Sequence, residues 1–111
     1  MNITPDILHA AYEYLRVCPP FSRWGLPHAD EVEFVVNRRP DSMGRCHDSQ
    51  PPRIEISQVL CQRTLSLVET MAHEMIHLYL HRLGVRVAHG ADFKRCAALV
   101  CKHHGFDVAL F

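Results

Sequence analysis

At 111 residues, with 48% hydrophobic and 22% charged side chains, the chain has the size and composition of one ordinary globular domain, residues 1–111, with one functional site. Twelve basic and twelve acidic side chains give a formal net charge of zero, which excludes the strong positive field of a dedicated nucleic-acid binder. No stretch approaches the roughly 18 unbroken apolar residues of a membrane span, and "MNITPDILHAAYEYL" does not read as a secretory signal, so the expected compartment is cytoplasmic and no membrane partner is expected.

Thr4-Pro5-Asp6 supplies a capping hydroxyl and a proline at the first helical position, and Ile7, Leu8, Ala11, Tyr12 and Leu15 follow at helical spacing. The first helix should run to about Cys18, where Pro19-Pro20 stops it. In "PPFSRWGLP", Phe21 and Trp24 read as cover for the core. Glu31 to Asn37 reads as a strand, "RRPDSMG" as a turn, and "RIEIS", Arg53 to Ser57, as a second strand, with a weaker one around Arg45 to His47. The three short strands are expected to form an antiparallel meander.

From about Leu60 to Leu83 there is neither proline nor glycine, and Leu65, Val68, Ala72, Ile76 and Leu80 fall on one helical stripe. This is the longest expected helix, ended by Gly84. A last helix is expected from about Ala91 to His104, stopping at Gly105. Five cysteines without a Cys-x-x-Cys pair read as reduced, mostly buried thiols rather than a disulfide framework or a zinc ribbon.

The long helix carries "HEMIH", a His-Glu-x-x-His pattern. At about 100° per residue, His73 and His77 lie one turn apart on one side, so both imidazoles can converge on one ion. Zinc suits two imidazoles, and a catalytic site adds a third protein ligand and an open position for water. Glu74, beside the first histidine, stands where a general base can take a proton from that water and pass it to a leaving amine. The bland alternative is an amphipathic helix whose histidines decorate its polar face.

The third ligand is sought among His81, His89, Asp92, His103 and His104. His81 is about 12 Å along the axis from His73, too far to share an ion bound at about 2 Å. His103 and His104 close a helix whose C-terminal dipole favours them anyway. His89 follows the break at Gly84 and can return across the helix face; Asp92 is the rival, unless it is simply a first-turn helix acid. His89 is the preferred choice. Glu69, one turn before His73, is a candidate acceptor for a ligand imidazole N–H or a plain surface glutamate, and Tyr79 reads as packing.

"LVETMAHEMIHLYL" followed by "HGADF" resembles the SprT/Spartan-like family of zinc metallopeptidases, in which the His-Glu-x-x-His helix precedes a His-Gly-x-x-Phe segment. The resemblance covers about Gly44 to His104 and implies one Zn2+ held by His73, His77 and His89, with Glu74 as the catalytic acid/base. It reads as a minimal peptidase domain, an α+β zincin-like fold with an N-terminal helix, a small sheet, the active-site helix and a C-terminal helix. The implied function is hydrolysis of protein or peptide substrates by a metal-activated water, with DNA-associated or DNA-crosslinked proteins as the substrates of Spartan-type relatives. Arg38, Arg39, Arg45 and Arg53 could give weak DNA binding, or form a solvated hairpin face. Substrate peptide is expected to pair with the strand Arg53 to Ser57. Alternatives are an inactive zinc-binding module that recognises protein or DNA, and a hydrolase of non-peptide amides.

Overall fold

A computed structural model describes residues 2–111. Thr4 caps the first helix, α1 (Pro5–Arg16), its hydroxyl accepting from the Ile7 N–H at 3.2 Å. Short 3-10 turns at Phe21–Arg23 and Ala29–Glu31 lead into strand β1 (Glu33–Asn37), followed by β2 (Gly44–His47), β3 (Arg53–Ser57), the long helix α2 (Thr64–Arg82), and α3 (Ala91–His104). A last 3-10 turn, Val108–Leu110, follows α3. This is an α+β fold of three helices and a small three-stranded sheet.

The sheet is not the expected antiparallel meander. Its order is β1-β3-β2, with β1 parallel to β3 and β2 antiparallel to it. Residues 38–43 pass over the C-terminal end of β3, a step of two strand spacings or about 10 Å, which six residues span easily. Ser57, fully buried at that end, holds the crossing: its N–H donates to the Met43 carbonyl at 2.9 Å and its hydroxyl to the Arg39 carbonyl at 2.7 Å. The most deeply buried strand therefore takes the centre, with Ile54, Ile56 and Ser57 fully buried.

Ser57 also explains why α2 starts at Thr64 rather than near Leu60. Its hydroxyl accepts from the Leu60 N–H and its carbonyl from the Cys61 N–H, so these residues form a turn. The expected single stripe on α2 is replaced by burial on several sides. Leu65 is 62% exposed, whereas Leu67, Met71, Ala72, Met75, Ile76, Leu78 and Leu80 are buried. The cause is position: α1, α3, β2 and β3 all pack on this helix. Tyr79 stacks on Trp24 at 4.3 Å, and Phe21 is buried, so these aromatics pack as expected.

The outer sheet face mixes charges. Arg45 lies opposite Glu55, and His47 opposite Arg53, with Glu33 beside Arg53. Glu55 and His47 are paired directly. Arg38 and Arg39 are exposed in the crossing loop. All five cysteines are free, but only Cys61 and Cys101 are buried, the other three being half-buried. No helix among the described residues is long and apolar enough to cross a membrane.

Ser57→Ala removes the hydroxyl that ties the crossing loop to the turn before α2, and leaves the Arg39 carbonyl without its donor and the Leu60 N–H without its acceptor. A loss of about 1–3 kcal/mol in urea unfolding is expected; an unchanged midpoint would show that the crossing is held by other contacts.

Candidate metal centre

The last turns of α2 set the path of the chain beyond them. Gly84 adopts φ +77°, the left-handed conformation that terminates helices, and the Gly84 and Val85 N–H groups donate back to the His81 and Leu80 carbonyls at 3.0 and 2.9 Å. This Schellman-type closure reverses the chain, and residues 85–90 carry His89 back across α2. At Gly90, which caps α3, a Cβ would lie 2.8 Å from Cγ1 of the exposed Val87, so a larger residue there would displace that side chain.

The result is a triangle of ring nitrogens. His77 Nε2 is 3.2 Å from both His73 Nε2 and His89 Nε2, and His89 and His73 are 3.3 Å apart. Three lone-pair-bearing nitrogens at this separation repel unless protons or a cation lie between them, so the group could hold one metal ion. The Phe93 ring, itself buried, lies 4.7–4.9 Å from all three imidazoles and fixes their orientation by packing.

The competing candidates lie elsewhere. Asp92 pairs with Arg95 one turn along α3, as a first-turn helix acid does, and is not in the triangle. His81 is half-buried, with Nδ1 3.9 Å from Cys46 Sγ. The His104 ring nitrogen contacts the Pro19 carbonyl at 2.9 Å, and His103 is exposed at the end of α3. Glu69 makes no hydrogen bond to a ligand imidazole among the described residues; it lines a cleft beside His73.

That cleft, of about 680 Å3, has His73, His89 and Glu74 at its inner end, and it falls within the range of small-molecule and peptide sites. Glu74 is only 4% exposed and its carboxyl has no hydrogen-bond or ionic partner among the described residues. Burial pushes its pKa up to about 8. Burial, reinforced by the neighbouring imidazoles, lowers His73 to about 4 and His77 to about 3, so both rings are neutral, with lone pairs free, at neutral pH.

Several site residues carry no local sequence signal. A Cβ at Gly44 would lie 2.8 Å from Thr70 Cγ2 and 2.9 Å from Glu74 Oε2, so β2 can seat the glutamate only with glycine there. Met43 before it, and Leu110 and Phe111 after α3, also line the cleft. Residues 15–110 match the sequence model of the SprT-like family. The chain belongs to the SprT-like family. The match extends well beyond the stretch around the histidines, taking in the sheet that carries Gly44 and, at its far end, Leu110 of the cleft wall. A search of curated proteins finds no match. SprT-like membership is consistent with a metallopeptidase-like module.

In metal-free protein the three buried groups act on stability with opposite signs. His73 and His77 bind protons less readily folded than at their ordinary value of 6.5, so stability falls as pH drops below about 6.5 toward 4. Glu74 binds its proton more readily folded than at its ordinary 4.5, so its contribution is lost as pH rises through 8. In EDTA, Tm is expected to peak near pH 6.5, where the histidine loss has ended and the carboxyl loss continues. Glu74→Gln should flatten only the alkaline limb; two flat limbs in the unsubstituted protein would refute the burial of these groups.

Proposed function

We propose that this SprT-like chain is a zinc-dependent peptidase that hydrolyses protein substrates, with His73, His77 and His89 as the metal ligands and Glu74 as the acid/base. The observation that carries the reading is the nitrogen triangle with a buried, unpartnered carboxyl beside it at the head of an open cleft. Three nitrogens 3.2–3.3 Å apart, each about 2.0–2.1 Å from a common centre, subtend about 100–110°, close to the tetrahedral angle zinc prefers. The donor set of three neutral imidazoles also suits zinc, and three protein ligands are the pattern of catalytic rather than structural sites.

Zinc bound there supplies Lewis acidity, acidifying a bound water and polarising a substrate carbonyl. The chain's own residues do the rest. Phe93 and the turn at Gly84 hold the imidazoles in place, and Gly44 leaves room for the Glu74 carboxylate at the cleft. Glu74 takes the proton of the attacking water on a carboxylate oxygen and delivers it to the departing amine nitrogen. Its burial favours the protonated form, so the proton is kept until the C–N bond breaks; a cation at the triangle draws the pKa back toward the range a base needs.

Peptide pairing with Arg53 to Ser57 is corrected by the fold. Those residues are the central strand, with β1 and β2 occupying both of its edges. The open edge beside the cleft is β2, where the ladder alternation turns the Gly44 N–H and the backbone groups of Cys46 outward, available to an extended substrate, while the Gly44 carbonyl accepts from the Ser42 hydroxyl at 2.9 Å. This edge favours a polypeptide over a small non-peptide amide. The mixed charge of the outer sheet face gives no comparable support to DNA recognition.

Glu74→Gln is expected to retain one bound zinc per chain and to lower the rate of casein digestion by about 10²–10⁴-fold. Undiminished cleavage would remove Glu74 from the mechanism. His89→Ala should lower zinc content measured by atomic emission, whereas Asp92→Ala should leave it unchanged; the reverse result would move the third ligand to Asp92.

A further inference from the structure

Between Ser66 and Glu74 one face of α2 borders the cleft. Ser66, Glu69, Thr70, His73 and Glu74 follow one another at helical spacing, and all five line the cleft. The face runs for about 12 Å along the axis, at 1.5 Å per residue, and ends at the histidine triangle. On one side stand Met43 and Gly44 at the start of β2; on the other stand Leu110 and Phe111, which come after α3. The Phe111 ring lies 5.6 Å from His73 and 6.0 Å from Phe106, which joins this wall to the site.

The chemistry of the walls is apolar and partly open to water. Met43 is 43% exposed and Leu110 65% exposed, although most large apolar side chains of α2 between Leu67 and Leu80 are fully or nearly fully buried. Apolar carbon left at the mouth of a cleft gains free energy when an apolar group enters. At the inner end, the unpartnered Glu74 carboxyl needs a polar group of the occupant or its attacking water. The half-buried Glu69 carboxylate lies along the same floor and repels an acidic side chain.

We propose that this groove receives one large apolar side chain, aliphatic or aromatic, of an extended polypeptide substrate, and that Met43, Leu110 and Phe111 set that preference. The proposal rests on the peptidase reading, because it assumes that the occupant's backbone runs past Glu74 along the open edge of β2. The walls come from segments far apart in the chain, so each can be altered without touching the histidines. Met43 and Leu110 are exposed and carry little of the core.

The test uses fluorescein-labelled peptides of five residues, alanine except for a central Leu, Phe, Ser, Asp or Lys, so that the single large side chain selects its own register. Binding is read by fluorescence anisotropy on zinc-loaded Glu74→Gln protein, which cannot turn the peptides over. The Leu and Phe peptides should bind about tenfold or more tighter than the Ser peptide, with Asp weakest. Met43→Glu and Leu110→Glu, checked for unchanged circular dichroism and zinc content, should each erase most of that difference. Equal binding of all five, no binding of any, tightest binding of Lys or Asp, or a preference untouched by both substitutions would overturn the proposal. Cleavage by the unsubstituted protein is scored separately. Selective binding without hydrolysis of any peptide or of casein would overturn the peptidase reading and leave the groove, and hydrolysis without preference would do the opposite.

Discussion

The convergence of three imidazoles on one point is the constraint around which the rest of the chain is arranged. Two of them come at no structural cost from the helix repeat, since residues four apart share a face. The third has to be returned from beyond the helix end, and that return depends on a backbone conformation that glycine adopts freely and other residues do not. Gly84 provides it, the two closing hydrogen bonds fix it, and the turn at Gly90 directs the chain into α3, whose Phe93 then packs beneath all three rings.

Burial does a second job at the same place. A carboxyl on α2 without a partner is unfavourable in the core. Glu74 is tolerated because it lies at the edge of the core, where a glycine on β2 leaves it room and the cleft gives it access to solvent. The same desolvation that raises its pKa lowers those of His73 and His77, so the environment separates one group that holds a proton from two that shed theirs. Divergent shifts among neighbouring groups cluster at functional sites.

Much of the site was legible from spacing alone, because local rules govern it. The pair His73 and His77, the placement of Glu74 between them and the exclusion of His81 all come from helix geometry, and the break at Gly84 made His89 reachable. In the structure the ring nitrogen of His89 lies with those of His73 and His77, and Asp92 is paired with Arg95. The boundaries of α3 and the cap of α1 were equally local. What was not legible depends on contacts between distant segments. The mixed sheet arises because the loop 38–43 crosses β3 and is held there by Ser57, and no periodicity in three short strands announces such a crossing. Leu65 reads as a core position until α2 is surrounded, after which burial is decided by the neighbours. Gly44, Met43, Leu110 and Phe111 carry no motif and become site residues only once β2 and the segment after α3 are brought to the same side of α2.

The most direct measurement of the central claim is X-ray absorption at the zinc edge on protein loaded with one equivalent of zinc. A shell of nitrogen and oxygen donors at about 2.0–2.1 Å, with multiple scattering from three imidazoles and one further light atom, is the predicted result. A sulfur scatterer at about 2.3 Å, or fewer than three imidazoles, would contradict it and assign the ion to other residues.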